Sequence, residues 1–144
     1  MIQIAQFDPK NLQKYDSYDG HYTSWEDVKF DDPACVAAFS VKRRSDDLSA
    51  PWHLWNDEVW YVIEGEMELE WSDPPMFNHH ERAAVKAGHA LFLKMGTAFK
   101  VTVLTEQVRF FWVTMPRPRY FSSEDFFAPA APARKGARGA RSRK

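Results

Sequence analysis

From residue 34 onward the chain alternates short apolar runs with turn residues, and no run carries a helical period. The runs at 34–43, 59–71, 83–86, 90–93, 99–105 and 108–115 are rich in β-branched and aromatic residues, the composition of strands. Gly, Pro, Asn, Asp and Ser punctuate them at 45–51 and 72–80, with further breaks at Gly88, Gly96 and 106–107. In Met67-Glu68-Leu69-Glu70-Trp71 apolar and acidic residues alternate, which predicts a strand with one face in water. Gly65 divides the longest run at Glu64-Gly65-Glu66, a tight reversal that calls for positive φ. Many short strands predict an all-β, antiparallel sandwich or barrel.

Helical signals are few. Asp8 as N-cap and Pro9 at the first helical position predict a short helix over 8–15. A second short helix over 122–127 would lay Phe126 and Phe127 over the barrel. Between them, 16–32 is polar and turn-rich, with Trp25 and Val28 as strand or lid contacts. The expected organisation is an N-terminal arm at 1–33, a barrel at 34–127 and a disordered basic tail at 128–144.

Composition sharpens this picture. At 144 residues the chain is one domain, large enough for a real core. Aromatics make up 15% and include six Trp, an excess that usually lines a concavity or an interface. The one cysteine, Cys35, cannot form an internal disulfide and reads as an inert buried thiol. The N-terminus lacks the basic and long apolar regions of a signal peptide, and no apolar run approaches a membrane span. The expectation is a cytoplasmic protein with no membrane partner.

Charge is uneven. After Phe127 come six basic residues and no acids. Removing those six from the 19 basic residues leaves 13 against 20 acidic ones, so residues 1–127 carry −7. An acidic body with a basic tail reads as a folded domain plus a solvated extension. Nothing in the body resembles a nucleic-acid-binding face.

The chemistry concentrates in His53-Leu54-Trp55-Asn56-Asp57-Glu58. On a strand, positions 51, 53 and 55 share one face. If that face points inward, His53 and Trp55 enter the barrel together. Asn56 and Asp57 supply a turn, and Glu58 returns on the next strand with Trp60 and Val62 on its side. A His and a Glu meeting across a hairpin begin either an acid/base pair or a divalent metal site. An inward Glu58 would be costly to bury alone. The plainer reading of His53 is a core histidine bonded to Glu58, second to a pocket role, and Trp55, Trp60 and Phe99 read as core filling or as ligand-stacking walls. Tyr61 is a further candidate wall, and Arg43 and Arg109 would clamp a carboxylate if they face inward. His79 and His80 lie in a loop that would supply a missing ligand only by folding over the mouth, and His89, beside a turn glycine, reads as a surface residue.

The text EVWYVIEGEMEL and the paired glycines at 88 and 96 resemble the cupin family, whose motifs run G-x5-H-x-H-x3,4-E-x6-G and G-x5-P-x-G-x2-H-x3-N. Glu58 to Gly65 fits E-x6-G, and Gly88 to Gly96 fits G-x5-P-x-G with Lys94 in place of Pro. WNDEVWYVIEG and AGHALFLKMGTAF are similar to strands of the ethanolamine-utilisation group, cupins with degenerate metal motifs. The resemblance spans residues 35–115 and implies a single-domain cupin-type antiparallel β-barrel (jelly roll) that forms a homodimer. It departs where a metal would bind. Phe99 stands at the second-motif His, and His53 is the only His left in the first motif, in either of two registers. His53 and Glu58 would be the two remaining ligands, whereas catalytic zinc sites usually use three.

The resulting expectation is a small-molecule enzyme of the lyase, dehydratase or isomerase type. His53 and Glu58 would be catalytic, with Trp55, Trp60, Tyr61, Phe99 and Arg109 binding a small organic substrate. A divalent Zn, Fe, Mn or Ni on His53 and Glu58 is the cofactor the resemblance implies. The alternatives are an iron oxygenase and a non-catalytic binding module.

Overall fold

The computed structural model describes residues 1–17, 20–72 and 80–114. A short 3-10 turn at Pro9–Asn11 precedes ten strands: β1 Gln13–Asp16, β2 Thr23–Asp32, β3 Cys35–Arg43, β4 Trp52–His53 and β5 Glu58–Glu64, then β6 Glu66–Ser72, β7 His80–Lys86, β8 Ala90–Leu93, β9 Ala98–Val103 and β10 Gln107–Thr114. They form a six-stranded sheet in the order β1-β2-β3-β10-β5-β8 and a four-stranded sheet in the order β4-β9-β6-β7, with every pairing antiparallel. The all-β antiparallel expectation holds. No helix among the described residues is long and apolar enough to cross a membrane.

Alternation decides what lies between the sheets. On β5, Trp60 and Val62 are buried while Tyr61 is half exposed. On β6, Met67 and Leu69 are buried between acidic neighbours, and on β9 Phe99, Val101 and Val103 are buried. These residues join Leu54, Val108 and Phe110 in one core. In β3 the rule fails because both faces are covered. Ala38, Ser40 and Lys42 are buried, and so are Ala37 and Val41. The outer cover is the N-terminal segment: Phe7 packs on Phe39 at 5.5 Å, and the Asp8 amide donates to the buried Asp27 carboxylate at 3.0 Å. Phe39 continues onto Phe111 at 4.9 Å. A strand covered on two sides reads as one apolar run rather than an alternating one.

Two expectations change at the N-terminus. Residues 13–32, assigned to an arm, are largely β1 and β2, and β2 pairs with β3 along most of its length. The helix expected over 8–15 shortens to three residues. Asp8 does cap it through Lys10 N at 2.9 Å, but β1 begins at Gln13. Cys35 is half-buried rather than buried. The helix expected over 122–127, the tail at 128–144 and His79 lie outside the described residues.

Gly65 behaves as its position requires. Its φ is +82°, and a Cβ there would sit 2.1 Å from the Gln107 carbonyl oxygen. The β5–β6 reversal therefore packs backbone on backbone against the start of β10, closing one sheet onto the other. Gly65→Ala meets both a left-handed backbone and a collision, and we expect a loss of more than about 2 kcal/mol of stability. A urea midpoint equal to that of the parent would show that the turn is not the constraint described.

Candidate functional site

The polar groups inside the barrel come chiefly from neighbouring strands of the larger sheet. Glu26 opposes Ser40 across β2 and β3, and Ser40 opposes Phe110 across β3 and β10. Trp112 on β10 opposes both Ala38 and Trp60, and Thr114 opposes Glu58. A register shift between Arg109 and Phe110 marks a bulge in the β5–β10 pair. Side chains of opposed residues lie on the same face, so these rows stack into one chamber.

Lys42 is fully buried there. Its ammonium donates to Ser24 Oγ at 3.0 Å and lies 4.3 Å from the centre of the Tyr22 ring. Ser24 in turn donates to Glu26 Oε1 and touches the Ser40 hydroxyl at 3.0 Å. Ser40 also donates to Glu26 Oε1 at 3.1 Å, and the Trp112 indole donates to Oε2 at 2.9 Å. The ammonium and this carboxylate are thus joined through a hydroxyl. Glu58 accepts from the indole of Trp60, two residues along its own strand, at 2.7 Å. Trp60 stacks on Phe110 at 4.4 Å and meets Phe99 edge-on at 5.2 Å, and Tyr22 stacks on Trp52 at 5.0 Å. Lys42, Tyr22, Ser24 and Ser40 are the buried floor, and the half-buried Glu26, Glu58, Trp52 and Trp112 are the rim.

Burial sets the proton affinities. It pushes the Glu58 carboxyl up to about 7. The Trp60 indole opposes this, the Glu26 charge adds to it, and Lys42 opposes it in turn. Burial also brings the Lys42 ammonium down to about 8, against the attraction of Glu26, Asp46 and Glu58. The Tyr22 hydroxyl is raised well above its ordinary value, first by burial and then by Glu26 and Glu58. These shifts follow from taking charged forms out of water and from the signs of their neighbours.

The expected site residues divide accordingly. Glu58, Trp60 and Phe99 come together in the chamber. Positions 51, 53 and 55 are not its inward face: Trp52 pairs with Phe99, and Trp52 and Leu54 both pack into the core. His53 pairs with Ala98, so strand alternation turns its ring away from Trp52. Trp55 lies in the bend before β5, half-buried. Tyr61 opposes Phe111 and faces outward. Arg109 is on the outer face too, 3.4 Å from Glu64 and 4.5 Å from the Phe7 ring. Arg43 lies over Trp25 at 4.4 Å, His80 is an exposed partner of Glu70, and His89 is exposed. Lys42, Glu26 and Tyr22 were missed. Their signal was Ser40 and Lys42, polar residues spaced by two within an apolar run.

The donor set does not suit a metal. Among the described residues, no group of three or more His, Cys, Asp or Glu side chains is placed to hold an ion. The position of the second-motif His is Phe99, packed on Trp60. A separate apolar cavity of about 190 Å³ shares Phe99 with the chamber and is lined by Leu69, Trp71, Val85, Leu91 and Leu93.

With the geometry in place, the kinship of the chain can be read. The family described as Ethanolamine utilisation protein EutQ matches residues 4–119. This chain belongs to the EutQ family. It is a cupin-superfamily member, and solved cupins share its fold. Fe(II)-HppE with the alternative substrate (S)-1-HPP superposes with a TM-score of 0.58 at 14% identity, covering 78% of this chain and 60% of that one. The Clostridium difficile EutQ protein gives 0.55 at 18% identity, covering 78% of this chain and 81% of that one. An RmlC-like cupin with a double-stranded β-helix fold from Methanocaldococcus jannaschii gives 0.57 at 16%, covering 83% and 95%. At these identities the likeness carries the fold alone, and the chain spans 60% of the length of HppE. No curated protein matches the sequence.

The raised Glu58 pKa predicts a pH-dependent stability. Below its ordinary value of 4.5 the carboxyl is protonated both folded and unfolded. Between 4.5 and about 7 the folded state keeps a proton that the unfolded chain releases, so stability falls as pH rises through that window. At 1.36 kcal/mol per pKa unit the loss is on the order of 3 kcal/mol. Glu58→Gln mimics the protonated form in this EutQ-family barrel. It is expected to match the parent in stability near the ordinary carboxyl pKa and to exceed it above the raised one. A stability difference that stays constant with pH would contradict the burial assigned to Glu58.

Proposed function

We propose that this EutQ-family barrel is a small-molecule enzyme of the lyase or isomerase type, working by proton transfer at Glu58. What supports the reading is one arrangement: an ammonium and two carboxylates enclosed together by Tyr22, Trp52, Trp60, Phe99 and Trp112. Glu58, at the rim, is the group that meets substrate. Its carboxylate takes a proton from a carbon next to a carbonyl, and its acid form returns one. A base that titrates near neutrality balances proton affinity against the fraction ionised. The Trp60 indole fixes the carboxylate rotamer. The buried Lys42 ammonium supplies fixed positive charge on the side where an enolate oxygen would gain negative charge. Elimination and isomerisation beside a carbonyl both begin with this step, and the substrate class is a small organic carbonyl compound.

The oxygenase alternative draws on the iron named for HppE, and the donor set here does not fit it. The binding-module alternative draws support from Glu26, whose oxygens accept from Ser24, Ser40 and Trp112. Such a carboxylate is built for rigidity rather than turnover.

The test is exchange of α-hydrogens with deuterium in a panel of small keto acids and aldehydes, followed by NMR. Glu58→Gln is expected to slow exchange by about 100-fold or more while ligand-induced shifts persist. Rate should rise with pH as Glu58 ionises and fall as Lys42 loses its proton, with Glu26 acting on both groups and Asp46 on Lys42. Ligand binding without exchange in the parent protein would favour the binding module and overturn the catalytic reading.

A further inference from the structure

A metal-holding cupin needs ligands with free lone pairs and a cation to balance them. In this barrel the lone pairs are largely committed and the positive charge has another source. Glu26 has three of its roughly four lone-pair sites committed to Ser24, Ser40 and Trp112. Glu58 Oε2 is held by the Trp60 indole. Phe99 and Trp60 close against each other where a second-motif ligand would point. The positive charge comes from the chain itself, because Lys42 has its ammonium buried, bonded to Ser24 and seated over the Tyr22 ring.

We infer that the Lys42 ammonium replaces the divalent cation as the fixed positive charge of the barrel, and that the folded protein is metal-independent for that reason. The inference shares its site with the catalytic proposal but not its chemistry, since the charge balance holds whether or not a substrate is turned over. One ammonium fully balances one carboxylate. Glu26, linked to it through Ser24, is that partner, and Glu58 is the odd charge. A buried ion pair robbed of one member is far less stable than either the pair or an apolar substitute. Removing the ammonium therefore leaves two carboxylates in an aromatic chamber with nothing opposite them. A divalent ion, or neutralisation of one carboxylate, would restore the balance.

The experiment uses the full chain after chelation, with Mn²⁺ as the probe because oxygen donors prefer it to softer ions. The parent is expected to bind no stoichiometric Mn²⁺ by spin resonance and to keep the same Tm in millimolar Mn²⁺. Lys42→Met is expected to lose roughly 10 °C in Tm. Millimolar Mn²⁺ should return at least half of that loss, and so should adding Glu58→Gln without metal. Two results overturn the inference. One is near-stoichiometric Mn²⁺ in the parent that Glu58→Gln abolishes. The other is a Lys42→Met protein whose Tm neither Mn²⁺ nor Glu58→Gln restores. If Lys42→Met alone does not fold, recovery of a folded Lys42→Met/Glu58→Gln protein supports the inference and its failure to fold overturns it. None of these readouts uses activity, so the catalytic reading stands or falls separately.

Discussion

One fully buried ammonium, joined through a serine hydroxyl to the Glu26 carboxylate and set behind a second carboxylate at the rim, is the constraint from which the rest of the barrel follows. Transferring such charges out of water is costly unless each finds hydrogen bonds and an opposite charge. The chain meets that cost by committing adjacent strands to it. Ser24 bridges Lys42 to Glu26, Ser40 donates a second hydroxyl to that carboxylate, Trp112 reaches across from β10, and Trp60 holds Glu58. The aromatic walls do not merely fill space. By excluding water they raise the proton affinity of Glu58 and lower that of Lys42, which brings both groups near neutrality.

β3, the strand that carries this internal charge, is covered on both faces. Lys42 is kept dry from inside by Tyr22 and Phe110. From outside, β3 is shielded by Phe7 and the Asp8–Asp27 contact. The N-terminal segment thus packs on the outer face of β3. The smaller sheet contributes the opposite wall through Trp52 and Phe99, and the Gly65 turn locks the two sheets at one end.

Much of the fold was legible in the residues. Alternation in 67–71, the glycines at 65, 88 and 96, and the aromatic runs placed most strands of the barrel within a residue or two. Glu58 and Trp60 were recognisable because a carboxylate and an indole two apart on a strand share a face. His53 misled for a physical reason: the rule that fixes parity along a strand does not say which parity faces in. Trp52 and Leu54 take the interior because burying an indole and an isobutyl group removes more apolar surface than burying an imidazole. Glu26 and Lys42 escaped notice because a buried charge is defined by its partners on other strands, and cross-strand register is not written in local spacing. Tyr61 and Arg109 failed by the same parity, both falling on the outward face.

The most direct measurement of this account is an NMR titration that follows the Lys42 side-chain nitrogen and the Glu58 carboxyl carbon in selectively labelled protein. The account predicts that the ammonium titrates near 8 and the carboxyl near 7, each transition displaced when the other residue is neutralised by substitution. Ordinary values, close to 10.5 for the lysine and 4.5 for the glutamate, would mean that the two charges are solvated and uncoupled, and the central claim would fail.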